Sequence, residues 1–383
     1  MQTSSQSNFS RLDSLESLRG LAALLIVVHH IPAWNAAFHD IGFVRNSYLM
    51  VHLFFVLSGF VIYGAYGERI HSVRDLARFQ FLRFARLYPV HLLFLAAFLG
   101  VETLKWIAQM RFGIAAANTN PFEVNTLEAG VQHLFLLHAV GPGDNALTFN
   151  AAAWSISVEF YMYLLFGLTI LVTGKFKDAA MAGLFLASII MIATGRTYGF
   201  ELMLQCVAGF SLGCMIARLR RMRDWSAPVW APAMALAALA AFIHWKPTLT
   251  YDLGVYPLTA ALIFSLASCP AGPTHNLLTR RPLVLLGVIS YSLYMAHTLV
   301  LWVANQFVRI VLKAPDVMIY GRSTPQLDAP AAALAYACVL AATITLSVAV
   351  YVLVEKPLRE RSRRFLLEPK SFSVRRDGPL AAS

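Results

Sequence analysis

Arg19 and His30 stand eleven residues apart in the apolar stretch L-R-G-L-A-A-L-L-I-V-V-H-H-I-P-A-W, Leu18 to Trp34. Eleven steps of about 100° return almost to the starting direction. On a helix both side chains therefore share one face, roughly 16 Å apart along the axis. An ionisable group in hydrocarbon costs about 2.5–3.5 kcal/mol even on lenient scales, and marks a functional site by default. The plainer alternative is an arginine snorkelling to the interface and a histidine bonded between helices. His29 points about 100° away and is read as structural. In R-D-L-A-R-F-Q-F-L-R-F-A-R-L-Y-P, Arg83 and Arg86 are helical neighbours, with Arg78 near the same surface. Clustered guanidinium groups bind phosphate bidentately, and coenzyme A is a ligand of that kind. The alternative is plain anchoring by positive charge.

Two further stretches carry ionisable or hydroxyl groups at depth. Glu159 lies in W-S-I-S-V-E-F-Y-M-Y, where an acid needs a partner or a wet cavity. Stabilisation at a helix start, or a structural pair with an arginine, would also account for it. Tyr294 and His297 share a helix face with Tyr291 in I-S-Y-S-L-Y-M-A-H. An interhelical hydrogen bond is the bland account of that histidine. V-E-K-P-L-R, Val354 to Arg359, is expected to pair its charges at the interface, with Pro357 ending the helix.

The elements that must hold these residues are legible in outline. Of 383 residues, 58% are hydrophobic and 13% charged, against roughly 25% charged in a soluble chain. The apolar residues fall in blocks long enough to cross a bilayer. They predict an all-α, polytopic transmembrane helical bundle of about ten spans. The spans are expected near 18–37, 48–66, 88–108, 153–173, 178–194, 200–217, 227–243, 254–268, 282–308 and 329–354. His133 to Val140 is too short to cross and is a candidate re-entrant piece. A polar N-terminal tail (1–17), the membrane domain (18–360) and a basic C-terminal tail (361–383) complete the division, with no soluble domain of useful length at either end. The first block is longer than a signal core and is read as a retained helix.

Charge follows the same pattern. On a ten-span layout most of the 31 Lys and Arg residues fall on the side of the N-terminus. Both termini are then expected in the cytoplasm. The net charge of +11 is explained by topology and attraction to anionic headgroups, and needs no nucleic-acid partner. Cys206, Cys214, Cys269 and Cys338 are scattered, and predict neither a disulfide framework nor a metal site.

In order along residues 11–360, the pieces L-R-G-L-A-A-L-L-I-V-V-H-H, L-F-F-V-L-S-G-F, R-F-A-R-L-Y-P, W-S-I-S-V-E-F, I-S-Y-S-L-Y-M-A-H and V-E-K-P-L-R resemble the membrane-bound acyltransferase 3 family. That family includes bacterial O-acetyltransferases of cell-surface polysaccharides. The resemblance implies a ten-helix core in the bacterial inner membrane. It would take an acyl group, usually acetyl, from cytoplasmic acyl-CoA and place it on a hydroxyl. It also implies acetyl-CoA as co-substrate, no permanently bound cofactor, and a glycan or lipid-linked saccharide as acceptor among membrane lipids. By position, Arg19 and His30 match the paired first-helix residues, and Arg83 and Arg86 the Arg-x-x-Arg pair associated with the donor. Many members have an acid just before L-F-F, where this chain has His52. Some carry a fused C-terminal hydrolase-like domain, for which this chain is expected to be too short.

Within that resemblance the chemistry is simple. A sugar hydroxyl is a weak nucleophile, and an imidazole near pKa 6.5 can take its proton as it attacks a thioester. His30 is the candidate base; a covalent route through the same ring stays open. Glu159 would orient the imidazole or hold the acceptor. Arg19 would bind donor phosphate or stabilise developing charge. Tyr294, His297, Ser58 and Trp154 are candidates for supporting the site or the acceptor. Two other functions fit the same residues. One is an acyltransferase for a small lipophilic metabolite. The other is a proton-coupled transporter, although the internal repeats and broken spans common in transporters are not visible.

Overall fold

The structure is a computed structural model, and it describes residues 2–367 apart from 223–224, 247–248, 270 and 320. Residues 368–383, most of the expected basic tail, lie outside the described residues. Thirteen helices carry the fold: α1 (Gln2–His30), α2 (Met50–Tyr66), α3 (Val73–Phe112), α4 (Leu127–Leu134), α5 (Trp154–Thr173), α6 (Lys177–Ala193), α7 (Glu201–Met222), α8 (Ala231–Trp245), α9 (Val255–Ser268), α10 (Arg281–Val288), α11 (Ser290–Ile310), α12 (Ala329–Val350) and α13 (Lys356–Leu367). Shorter turns connect them. One antiparallel hairpin, β1 (Asp316–Ile319) with β2 (Arg322–Pro325), departs from the all-helical expectation. Arg309 holds it to α11 by an ion pair with Asp316 at 3.2 Å.

The expectation of about ten spans is not met. Among the described residues five helical stretches are long and apolar enough to cross a membrane: Gly42–Tyr66, Val73–Phe112, Ala151–Ala193, Glu201–Met222 and Ala329–Phe365. A sixth is reached if α10 and α11, bent by 70°, form one span. The error came from equating an apolar block with a full-length helix. Blocks 153–173 and 178–194 lie within one 43-residue stretch, broken by a turn at Gly174 with φ +50°. Blocks 227–243 and 254–268 form the helices Ala231–Trp245 and Asp252–Ser268, both under 18 residues. The block at 18–37 stays helical only to His30, because Pro32 disfavours helical geometry at the residue before it. The even count that placed both termini in the cytoplasm falls with the number. The chain remains a multi-pass membrane protein.

Two prolines expected to mark boundaries do not. Pro89 lies inside α3, which runs unbroken for 40 residues. That is roughly 60 Å, about twice a hydrocarbon core. The arginine-rich stretch R-D-L-A-R-F-Q-F-L-R-F-A-R, between the spans expected at 48–66 and 88–108, is thus the first part of this helix, capped by Ser72, whose side chain accepts from the Asp75 N–H. Pro357 likewise lies inside the continuous helical stretch Ala329–Phe365, just after a π turn of the kind that accommodates a bend. A π turn at Tyr351–Glu355 joins α12 to α13 without a stop.

Glycine sets the closest helix contact. A Cβ on Gly59 of α2 would fall on the Phe210 carbonyl oxygen of α7, and one on Gly213 of α7 on the Val56 carbonyl oxygen. The two backbones therefore touch, and Phe55, Val56 and Phe210 pack around the crossing. Small residues permit this approach in membrane helices generally. Gly59→Val is expected to destabilise the protein by about 1–3 kcal/mol, read as a lowered melting temperature in detergent.

The region between α3 and α5 is anchored by stacked imidazoles. His133 and His138 lie 3.6 Å apart and nearly parallel, with His91 of α3 at 5.7 and 5.9 Å from them. All three are buried. His91 Nε2–H donates to the His133 carbonyl at 2.9 Å, and His133 Nε2–H to Thr148 Oγ1 at 3.0 Å. Neither ring nitrogen of His138 meets hydrogen-bond geometry with a partner among the described residues. Burial, then the neighbouring imidazoles, push His133 down to about 2 and His138 to about 3. The unfolded chain therefore holds more protons below pH 6.5. Stability should fall as pH drops from 7 towards 5, by up to about tenfold in the unfolding constant per pH unit for each histidine. Thermal melts across that range should show the slope, and His138→Leu should flatten it.

Candidate active site

A partly open cavity of about 80 Å³ lies between α1, α2, α3, α5 and α11. It gathers six of the nine residues singled out from sequence: Arg19, Ser58, Arg83, Arg86, Glu159 and Tyr294. Its remaining wall is largely apolar, including Phe54, Phe55, Val51 and Leu87.

Glu159 is held by hydroxyls. Ser58 Oγ donates to its Oε1 at 2.7 Å and Tyr163 Oη donates to the same oxygen at 2.5 Å. The two hydroxyl oxygens are 2.9 Å apart. Tyr163 is fully packed within the core and was missed by sequence reasoning. Its place four residues after Glu159, one helical turn on, was the available signal. Ser58 reaches Glu159 from α2 across 101 positions of sequence. No hydrogen bond joins Glu159 to His30 among the described residues, so the expected orienting contact is not formed.

The arginines are unlike one another. Arg19 pairs with Glu16 at 3.3 Å, a turn away on α1. Arg83 is buried, and its guanidinium lies 5.6, 5.8 and 5.9 Å from the rings of Tyr66, Phe79 and Tyr163. Its Nε is buried without a hydrogen-bond partner. Neither Arg83 nor Arg86 makes an ion pair among the described residues. Buried charge without a partner is costly, and an anionic ligand is the ordinary remedy.

The imidazoles sit apart from this cavity. Tyr294 closes it, with Ser155 Oγ donating to Tyr294 Oη at 2.9 Å. Behind Tyr294, His297 Nδ1–H donates to the Tyr294 carbonyl at 2.6 Å, and its buried Nε2 has no partner. His30 follows, with ring centroids 5.0 Å from His297. Its Nδ1–H donates to the Ile26 carbonyl at 2.8 Å. A carbonyl can only accept, so Nε2 of each neutral ring carries the free lone pair. His30 ends α1 on an exposed surface. The following loop is fixed there by Trp34 Nε1–H to Asn305 Oδ1 at 2.9 Å and by Leu327 N–H to the Trp34 carbonyl at 2.8 Å. Trp154 lines neither group. It packs edge-on against Phe55 at 6.1 Å, at the start of α5. His52, in place of the acid common in the resemblance, is buried and bonds Tyr256 Oη at 3.1 Å.

Over residues 12–352 the chain matches the family model described as "Acyltransferase domain". It belongs to the acyltransferase 3 family. It is 26% identical to the exopolysaccharide production protein ExoZ of Rhizobium meliloti (strain 1021), covering 82% of this chain and 90% of that protein. It is 28% identical to the acyltransferase MdmB of Streptomyces mycarofaciens, covering 76% and 79%. The O-acetyltransferase OatA of Staphylococcus aureus is 25% identical over 77% of this chain, which spans about half, 51%, of that longer relative. A 94-residue segment is 45% identical to Protein 2 in the picA locus of Rhizobium radiobacter, 46% of whose length it covers. No solved structure matches the chain.

The trio around Glu159 is open to a double-mutant cycle. Ser58→Ala and Tyr163→Phe should each cost about 1–3 kcal/mol if the carboxylate is charged. Because both serve one oxygen, the pair should deviate from additivity by about 0.5 kcal/mol or more. Thermal unfolding of the four proteins measures the deviation.

Proposed function

We propose that this member of the family moves an acetyl group from acyl-CoA to a hydroxyl of a cell-surface or exported glycan. The carrying observation is the pair Arg83 and Arg86, which make no ion pair among the described residues, on the wall of the cavity that also holds Glu159. Guanidinium groups so placed suit the phosphates of a nucleotide-linked thioester. The printed names of two relatives, an exopolysaccharide production protein and an O-acetyltransferase, support the glycan acceptor and the acetyl group.

His30 Nε2 is the base. It takes the proton of the acceptor hydroxyl as the oxygen attacks the thioester carbonyl carbon. The C–O bond forms, the C–S bond breaks, and the imidazolium returns its proton to the departing CoA thiolate. The Nδ1 bond to Ile26 fixes the tautomer that this needs. Tyr294 and His297 stand between the donor cavity and His30. The thioester arm has to pass the Tyr294 side chain, so donor and acceptor approach from opposite ends of α1. Arg19 guards the donor end, while Ser58 and Tyr163 keep Glu159 in place beside the arm.

Purified protein supplied with acetyl-CoA and an acceptor glycan should release free thiol only when both are present. His30→Ala should lower that rate by about 10²–10⁴-fold, and Arg83→Ala should raise the KM for acetyl-CoA. Mass spectrometry of surface glycans with and without the gene identifies the acceptor. Full activity in His30→Ala overturns the assignment of the base.

A further inference from the structure

Arg83 and Arg86 also line a second, smaller pocket of about 20 Å³. Its other walls include Tyr66 and, from α13, Arg359, Ser362 and Arg363. Four guanidinium groups thus face one small space. Arg359 and Arg363 are one turn apart on α13, as Arg83 and Arg86 are on α3. Phe365 lies 6.2 Å from Phe81 and sets α13 against α3.

The four guanidinium groups outnumber the carboxylates that act on them, Glu16, Glu159 and Glu355. Glu355 reaches Arg359 at 3.7 Å, but its other oxygen accepts from Ser292 Oγ at 2.7 Å. Arg363 has no ion pair among the described residues, and neither do Arg83 and Arg86. Like charges crowded into a partly dry space repel one another, and a polyanion relieves that repulsion.

We propose that the groove formed by Arg359 and Arg363 of α13 with Arg83 and Arg86 of α3 binds the phosphate groups at the nucleotide end of the acyl donor; this rests on the acyl-CoA donor proposed above. The division of chemistry matches the donor. Its anionic end carries a pyrophosphate and a ribose 3′-phosphate, and suits the arginine groove. Its uncharged arm and thioester suit the larger, mostly apolar cavity beside Glu159. Arg83 and Arg86, common to both cavities, sit where the two halves of the donor meet. Anionic lipid headgroups present the same phosphate chemistry, and the experiment separates the two sources.

The full chain is reconstituted in nanodiscs of phosphatidylcholine, and binding of CoA and of dephospho-CoA, which lacks the 3′-phosphate, is measured by calorimetry. Wild type should bind CoA more tightly than dephospho-CoA, with affinity falling as salt rises. Arg359→Ala/Arg363→Ala should lose about tenfold or more in CoA affinity and most of the preference over dephospho-CoA. Arg359→Lys/Arg363→Lys should keep an intermediate affinity. Arg361→Ala/Arg364→Ala removes the same charge from exposed positions of the same helix and should bind as wild type does. Unchanged CoA binding in the Arg359/Arg363 double variant overturns the proposal while leaving the donor intact. Equal loss in the Arg361/Arg364 control also overturns it, as does displacement of CoA by phosphatidylglycerol added to the discs, which assigns the groove to headgroups. Absence of CoA binding to wild type overturns this proposal and the donor proposal together.

Discussion

A carboxylate inside a membrane protein has to be surrounded by donors or given up as a neutral acid. Here Glu159 is met by two hydroxyls on one oxygen, from Ser58 of α2 and Tyr163 of its own helix. Two arginines of α3 share the cavity without pairing to it directly. Two helices, α2 and α5, therefore have to be in register for this one oxygen to be satisfied. The close crossing of α2 and α7, made possible by Gly59 and Gly213, keeps Ser58 at the right depth. The Tyr163 ring packs edge-on against Phe79 of α3 and Phe210 of α7. The polar trio is thereby tied to the hydrophobic core on both sides.

Polarity in the molecule is divided between two ends of α1. Arginines gather around Arg19, and imidazoles around His30. Helix α11 separates the two, presenting Tyr294 to the cavity and His297 to His30. The 70° bend between α10 and α11 frees α11 to take this course across the bundle. Tyr294 is held by Ser155, and the His297 and His30 rings by backbone carbonyls. The partition is consequently built from directed hydrogen bonds, while the cavity walls are built from apolar packing.

Long helices place these groups at their depths. Because α3 runs unbroken past Pro89, the arginine turn and the buried His91 belong to one rod. The same continuity, through a π turn, carries α12 into α13 and sets Arg359 and Arg363 over the arginines of α3. Local sequence pointed to breaks at both prolines. The tertiary packing kept the helices going, since a proline costs less where its neighbours support a bend.

The sequence by itself singled out candidate residues for the chemistry and showed which of them share helix faces. Arg83 with Arg86 and Arg19 with His30 follow from helical periodicity, a local property of the chain, and the same periodicity held the unread signal for Tyr163 beside Glu159. The membrane class followed from composition, and the family from the order of six short motifs. What joins Ser58 to Glu159, His297 to His30, or Arg363 to Arg83 is contact between segments far apart in sequence, and no periodicity encodes it. The number of spans also lay beyond the sequence, because hydropathy measures how apolar a block is but not whether the backbone stays helical, turns or bends within it. Those choices were made by packing, where glycine contacts, loop hydrogen bonds and the demands of buried polar groups act together.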